Sequence, residues 1–151
     1  MLATDVLRIN HQAILELFDR YQRTGRADHR TRKDLVDRIK RSLRTHLSLE
    51  EEMLYPAMTR KPSPDAGRRL DRILQEHLLL DDRLAALSEL RPQDREYDLR
   101  VAELRRMVEE HLLLEQNGPY GEIRRALKRK ALEKLGARIR ARIDLLRRVA
   151  S

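Results

Sequence analysis

The chain of 151 residues fits one domain that is long enough to bury a hydrophobic core without crosslinks. It has no cysteine, which excludes disulfides, thiolate metal sites and cysteine nucleophiles, and it has no apolar run of membrane-spanning length. Because no basic and apolar leader precedes the first helical pattern, we expect a cytoplasmic protein. The net charge of +8 comes from residues 119–151, which carry 11 basic and three acidic side chains, so the rest of the chain gives no general indication of nucleic-acid binding.

Five runs of apolar residues with helical spacing follow one another. The first begins at an expected N-cap, Thr4-Asp5, and ends at Gly25. The second extends from about Thr31 to Pro56 or to KPSPDAG at 61–67, the third ends at RPQD at 91–94, and the fourth ends at NGPYG at 117–121. A fifth, basic run follows, and no stretch alternates like a strand. The sequence predicts an all-α protein with an up-down-up-down four-helix bundle over residues 1–120 and an additional basic amphipathic C-terminal helix over residues 121–151.

Four histidines are placed one on each of the first four predicted helices. The midpoints between successive members, at 28.5, 61.5 and 94, all fall on the predicted turns. In antiparallel helices, residues equally far from a turn lie at equal height, so His11, His46, His77 and His111 should share one level. The fifth histidine, His29, lies at the first midpoint and so about 26 Å from that level, which excludes it as a ligand.

Two of these histidines begin the same pattern, HLSLE at 46–50 and HLLLE at 111–115. Residues four apart on a helix share a face, so Glu50 and Glu115 should join their histidines at the common level. Six such groups in a leucine-rich core are costly to desolvate without a cation. A polar core network without metal and a coincidence of register remain alternatives. The candidate metal ligands are His11, His46, Glu50, His77, His111 and Glu115.

The kind of donor limits the metal. Six nitrogen and oxygen donors exceed the four of a structural zinc site, and the two carboxylates suit bridging between two ions. Iron or manganese fits such ligands when coordination positions stay open, although zinc can also load the site.

The order His, HxxxE, His, HxxxE on four successive helices resembles the hemerythrin-like (HHE cation-binding) domains. NHQAILELF at 10–18 and HLSLEEEMLYP at 46–56 are similar to the first and second helices of that family, and the match covers about residues 3–120. The resemblance implies two Fe ions in a non-haem di-iron centre with an oxo or hydroxo bridge, the four histidines being terminal ligands and the two glutamates bridging. It also implies binding or reduction of a small oxidant ligand, dioxygen, peroxide or nitric oxide, in oxidative or nitrosative stress or iron handling. Catalase-like or peroxidase-like enzyme activity is left open.

Two features concern the surroundings of the predicted ligands. Oxygen-carrying hemerythrins have an HxxxH pair on the third helix, where this chain has His77 and Asp81, so Asp81 is either a further ligand or neighbour of the metal, or an ordinary surface residue. Tyr55 and Tyr120 each follow a glutamate by five residues, which is about 140° around a regular helix. A redox or hydrogen-bonding role near the metal is an alternative for both tyrosines, but this rotation leads us to expect that they are packing residues.

The fifth run carries an apolar stripe at Ile123, Leu127, Ala131, Leu135, Ile139, Ile143 and Leu146, with Gly136 as its weak point. The stripe could pack on the bundle, form a homo-oligomer or lie on a membrane surface, and the arginines could contact nucleic acid. The alternative function is a non-enzymatic iron-binding or sensing module whose basic C-terminal helix contacts a partner, membrane or nucleic acid. A third, weaker interpretation is a nucleic-acid adaptor with an inert polar core.

Overall fold

The structure is a computed structural model that describes residues 1–58 and 63–150, of residue 150 only the backbone. Within these ranges there are helices and no strand, which confirms the all-α prediction. The elements are α1 (Ala3–Arg23), α2 (His29–Leu49), a π-helical segment (Glu50–Leu54), α3 (Tyr55–Met58), α4 (Pro64–Ser88), α5 (Arg95–Asn117), α6 (Pro119–Ala126) and α7 (Arg129–Ala150). None of the described helices has the length and apolar character needed to cross a membrane.

Short polar side chains start two of the helices. The carboxylate of Asp28 accepts a hydrogen bond from the N–H of Thr31 at the start of α2, and Ser63 does the same for Ala66 at the start of α4. The expected Thr4-Asp5 cap is wrong, because α1 begins at Ala3 and Leu2 occupies the cap position without a side-chain bond. Of KPSPDAG, residues 61 and 62 lie outside the described residues, and α4 begins within the remainder.

Neighbouring helices contact each other in antiparallel register. Along α1 and α5, Tyr21 donates a hydrogen bond to Asp98 at one end, and His11 approaches Glu115 at the other. Lys40 of α2 donates to Ser88 of α4, and further along Glu51, in the π-helical segment that follows α2, contacts His77 of α4. The predicted histidine level therefore has the pairing of helices that it requires.

Two apolar clusters fill the interior. One contains Phe18, Ile39, Leu84 and Leu104 from α1, α2, α4 and α5. The other contains Leu7, Leu54, Ile73, Tyr120 and Ile139, and so combines the opposite ends of these helices with α6 and α7. The candidate ligands lie between them: His11 stands between Leu7 and Ile14 in the chain, and His77 between Ile73 and Leu80. Apolar packing on both sides thus surrounds the polar level.

The C-terminal basic run is two helices, which corrects the prediction of one. The chain is extended at Leu127, between α6 and α7. Leu132, Leu135, Ile139 and Ile143 are buried with the first residues of α1, whereas Ala131 and Leu146 of the predicted stripe are exposed. The α7 stripe thus packs on the rest of the molecule. A division of the chain between residues 120 and 121 stays a prediction.

Gly136 has a packing role in place of the weakness expected from its sequence. It is buried on α7 against the backbone of Met1–Ala3, and a Cβ atom there would lie 2.5 Å from the carbonyl oxygen of Met1 and 3.0 Å from the amide nitrogen of Ala3. Only glycine permits this approach of α7 to the start of α1.

Candidate metal centre

The structure brings all six predicted ligands together in the interior. Each is at most 2% exposed. The imidazoles come from α1, α2, α4 and α5, and Glu115 lies in the last turn of α5, so the nearby end of that helix does not displace it. Two groups of possible ligand atoms form, each with all atoms within 4.8 Å of one another: His11, His46, Glu50 and Glu115 in one, and Glu50, His77, His111 and Glu115 in the other. Both carboxylates belong to both groups.

The short distances follow the helical spacing. His46 Nε2 is 2.9 Å from Glu50 Oε1, and His111 Nε2 is 2.9 Å from Glu115 Oε1, as the HxxxE pattern predicts. His77 Nε2 lies 3.7 Å from Glu50 Oε1 and 3.5 Å from Glu115 Oε1. All four imidazoles thus direct Nε2 towards the two carboxylates.

The Nδ1 atoms point outward, and three of them have polar partners. His46 Nδ1 is 2.8 Å from Asn10 Oδ1, His77 Nδ1 is 2.9 Å from Glu51 Oε1, and His111 Nδ1 is 3.1 Å from Glu76 Oε2. In a neutral imidazole such a partner holds the proton on Nδ1 and directs the Nε2 lone pair towards the two carboxylates, where a cation would bind.

Sequence reasoning did not identify these three partners, although a signal was present. Asn10 and Glu76 directly precede His11 and His77, and Glu51 directly follows Glu50. Each polar residue is thus next to one candidate ligand in the chain and contacts a different one on a neighbouring helix.

The two tyrosines form hydrogen bonds to the carboxylates in addition to packing in the apolar cluster, so the hydrogen-bonding alternative is the one that the structure has. The hydroxyl of Tyr55 donates to Glu115 Oε1 at 2.5 Å and lies 3.3 Å from Glu50 Oε2. The hydroxyl of Tyr120 donates to Glu50 Oε2 at 2.9 Å, and its ring stacks on that of His11.

The local backbone explains why the regular-helix argument failed. Residues Glu50–Leu54 are π-helical, and the N–H of Tyr55 bonds to the carbonyl of Glu50, five residues back. A π-helical turn returns to nearly the same face after about five residues, so Tyr55 lies on the side of Glu50. Tyr120 belongs to α6, because α5 ends before Gly118. The rotation per residue of a regular α-helix therefore predicts the direction of neither tyrosine.

Burial sets the protonation of the cluster. It lowers the pKa of His11 to about 4, with His46 adding to the effect, and it lowers the pKa of His46 to about 3. Burial and the charge of Glu115 raise the pKa of Glu50 to about 7. Burial opposes the charge on Glu115 and His111 as well, but their mutual attraction prevails: it holds the pKa of Glu115 well below its usual range, and with further hydrogen bonds raises that of His111 to about 12. Without a cation, a proton on His111 thus balances the charge of Glu115.

Unpaired atoms test whether a cation fits. Among the described residues, Glu50 Oε1, Glu115 Oε2 and His11 Nδ1 are buried without a hydrogen-bond donor or acceptor. The two carboxylate oxygens face the imidazole nitrogens, and a buried acceptor left alone costs about 1–3 kcal/mol. A cation at each of the two groups would bind these oxygens, so the residues fit metal ions.

Two other residues stand apart from the cluster. His29 is the first residue of α2, at the end of the molecule away from the six ligands, as predicted. Asp81 is exposed and pairs with Arg44 at 3.0 Å, which is the surface role among the two alternatives for this residue.

The helices and the buried cluster define a class: helical proteins that hold cations between histidines and glutamates of their core helices. The chain belongs to the hemerythrin HHE cation binding domain family, whose pattern matches residues 2–123 and so confirms the resemblance. A crystal structure of a hemerythrin HHE cation binding domain-containing protein from Mycobacterium kansasii is similar to it, with a TM-score of 0.83 and 22% identity over 99% of this chain and 90% of that chain. No protein with a curated description matches the chain.

Proposed function

We propose that this protein is a non-haem di-iron protein that binds or reduces a small oxidant, dioxygen, peroxide or nitric oxide. The observation that carries the proposal is the sharing of Glu50 and Glu115 between two groups of ligand atoms. Each group has two imidazoles of its own, so each ion would receive two nitrogen donors and a share of two carboxylates. Such nitrogen and oxygen ligands with open positions suit iron. Bound iron would supply one-electron redox chemistry towards the oxidant.

The residues around the ligands would orient them and keep water out. Tyr55 and Tyr120 donate hydrogen bonds to the carboxylates and so fix which oxygen faces the metal. Apolar clusters on both sides exclude solvent, which strengthens every charge interaction inside.

A small pocket beside the cluster is consistent with a small ligand. A pocket of about 130 Å³ between α4 and α5 is lined by Leu79, Met107 and Glu110 and reaches Glu76 and His111. This volume holds a few water-sized molecules, which is enough for a diatomic gas or peroxide.

The architecture that we propose for this function is the up-down-up-down four-helix bundle of α1, α2, α4 and α5, with α7 as an additional helix. The antiparallel contacts described above support it, as does the position of α7 against α1.

Metal analysis tests the proposal directly. Protein from iron-replete cells should contain about two iron ions per chain and show near-ultraviolet charge-transfer absorption of ferric iron. Colourless protein with one zinc ion, together with a metal-free form that takes up no iron, would overturn it.

A second candidate, an iron-binding sensor with an anionic partner, is favoured by a basic groove. The groove is open, has a volume of about 630 Å³ and lies between α1, α2 and the end of α7. Arg20, Arg38, Arg41 and Arg147 line it, and none of them has an ion pair with the described residues. Asn10 lines the groove as well and contacts His46, so the groove adjoins a candidate metal ligand.

Binding to anionic phospholipid vesicles and to duplex DNA, measured in rising salt, tests the sensor. The variant R38Q/R41Q should lose binding, and the matched variant R95Q/R106Q, which changes two exposed arginines elsewhere, should not. A sensor also requires that the metal-free and iron-loaded proteins bind with different affinity. Equal affinity, or equal loss in both variants, would reject this function.

A further inference from the structure

The two halves of the cluster differ in what lies behind their imidazoles. We call His77 and His111 the α4/α5 half, and His11 and His46 the α1/α2 half. Both imidazoles of the α4/α5 half contact a carboxylate through Nδ1, those of Glu51 and Glu76.

The α1/α2 half has no carboxylate in these positions. His46 contacts the neutral amide of Asn10, and His11 Nδ1 is buried without a partner among the described residues. The difference is thus between two charged acceptors on one side and one neutral acceptor on the other.

On the side that faces the metal positions, the two halves contain closely matched residues. Each has two imidazoles, one glutamate four residues after a histidine, and one tyrosine near an imidazole ring, Tyr120 at His11 and Tyr55 at His77. Both halves share the same two carboxylates. The charged contacts on the outward side are the clearest difference between the two metal positions.

A carboxylate that accepts a hydrogen bond from Nδ1 draws the proton towards itself and makes Nε2 a stronger donor to a metal. The bond to a charged acceptor is also roughly twice as strong as a bond to a neutral amide. The side chains of Glu51 and Glu76 are 45% and 32% exposed, but the imidazoles are only 2% exposed. The bonds between them therefore lie at the boundary between the solvent and the buried interior. Water thus screens the charge of the two glutamates in part, and their effect on the Nε2 atoms remains.

We propose that Glu51 and Glu76 are positioning residues that make the α4/α5 half the tighter metal position, so that the first cation binds there and the second fills the α1/α2 half. The proposal rests on the proposed two-metal function. It assigns to this chain an order of loading that the six ligands alone do not specify.

The test is an isothermal titration calorimetry experiment in which ferrous iron is added to the metal-free protein under argon. The unmodified protein should bind in two resolved steps. The variant E51Q/E76Q should weaken the first step by about 10- to 100-fold, the usual loss when such a partner is removed, and leave the second step unchanged. Glu52→Gln is the matched control, since Glu52 is exposed and contacts Ser48 and Arg142 instead of a histidine.

A gain-of-function variant separates this role from a structural one. Asn10→Asp gives the α1/α2 half its own charged acceptor and should tighten the second step by about 10-fold without removing any contact. A merely structural role of these residues would not produce this gain.

The outcomes distinguish the inference from the function on which it rests. Uptake of fewer than two ions by the unmodified protein would reject the two-metal function. Two ions that bind in equal steps, an E51Q/E76Q variant that weakens both steps alike or neither, or an Asn10→Asp variant with an unchanged second step would overturn the loading order and leave the two-metal function in place.

Discussion

Replacing Glu50 by glutamine removes a charge from the centre of the cluster and keeps the size of the side chain. Glu50 is fully buried, and burial together with the charge of Glu115 raises its pKa from the ordinary value of 4.5 to about 7. Between these two pH values the folded chain keeps a proton that the unfolded chain has released. The free energy of unfolding of the metal-free protein should therefore fall as the pH rises through this window.

The size of the effect follows from the pKa difference. At about 1.4 kcal/mol per pKa unit, the charge on Glu50 costs the folded, metal-free protein about 3 kcal/mol above pH 7. The variant Glu50→Gln should lack this cost. Relative to the unmodified protein it should gain almost nothing near pH 4.5 and about 3 kcal/mol at pH 8, or about 6–12 °C in melting temperature for a chain of this size.

Urea unfolding in the presence of a chelator, followed by far-ultraviolet circular dichroism at pH 5, 6.5 and 8, measures the gain. Glu110→Gln, at an exposed glutamate on α5, is the control and should change little at any pH. Metal analysis of the same variant should show reduced iron, because a shared carboxylate is lost. A variant that is destabilised at pH 8, or stabilised equally at all three pH values, would refute the reasoning.

Three further comparisons test other parts of the structure. His77→Ala should lose or greatly weaken iron binding while His29→Ala keeps it, as measured by iron content; equal losses would mean that the helix register is wrong. Gly136→Ala should destabilise the protein by about 1–3 kcal/mol because its Cβ would contact backbone atoms. Gly67→Ala, whose Cβ would have nothing within 4 Å, should stabilise α4 by about 0.5–1 kcal/mol. Urea unfolding measures both changes in the free energy of unfolding, and changes of the same sign would contradict the close approach at Gly136. Tyr120→Phe should cost the metal-free protein about 1–3 kcal/mol, since Glu50 loses its nearest donor; an unchanged unfolding midpoint would show that the bond contributes nothing.

The six candidate ligands could be placed from the sequence because their position depends on counting. In an antiparallel pair of helices the height of a residue is its distance from the turn, and Gly and Pro mark the turns of this chain clearly. The i,i+4 spacing then adds Glu50 and Glu115 without any knowledge of how the helices cross. Both predictions use only the regular geometry of a helix, and the structure brings the six side chains together.

The remaining features depend on where that geometry ends. Tyr55 reaches the carboxylates through a π-helical segment, and the sequence offers only Pro56 as a sign of it. The break at Leu127 has neither Gly nor Pro, so α6 and α7 read as one helix. Glu51 and Glu76 act across helix pairs, and which neighbour a long side chain reaches depends on the spacing and rotation of the helices.

The contact between Gly136 and Met1–Ala3 joins the two most distant helices of the chain, and this has a consequence for how the protein is made. Leu7 shares its apolar cluster with Ile139, and Gly136 lies against Met1–Ala3, so this part of the cover of α1 forms only after α7 has been synthesised. At a ribosomal rate of about 5–20 residues per second, the wait is on the order of ten seconds. Throughout that time the side of α1 that α7 covers in the folded protein stays exposed, and transiently exposed apolar surface of this kind favours aggregation.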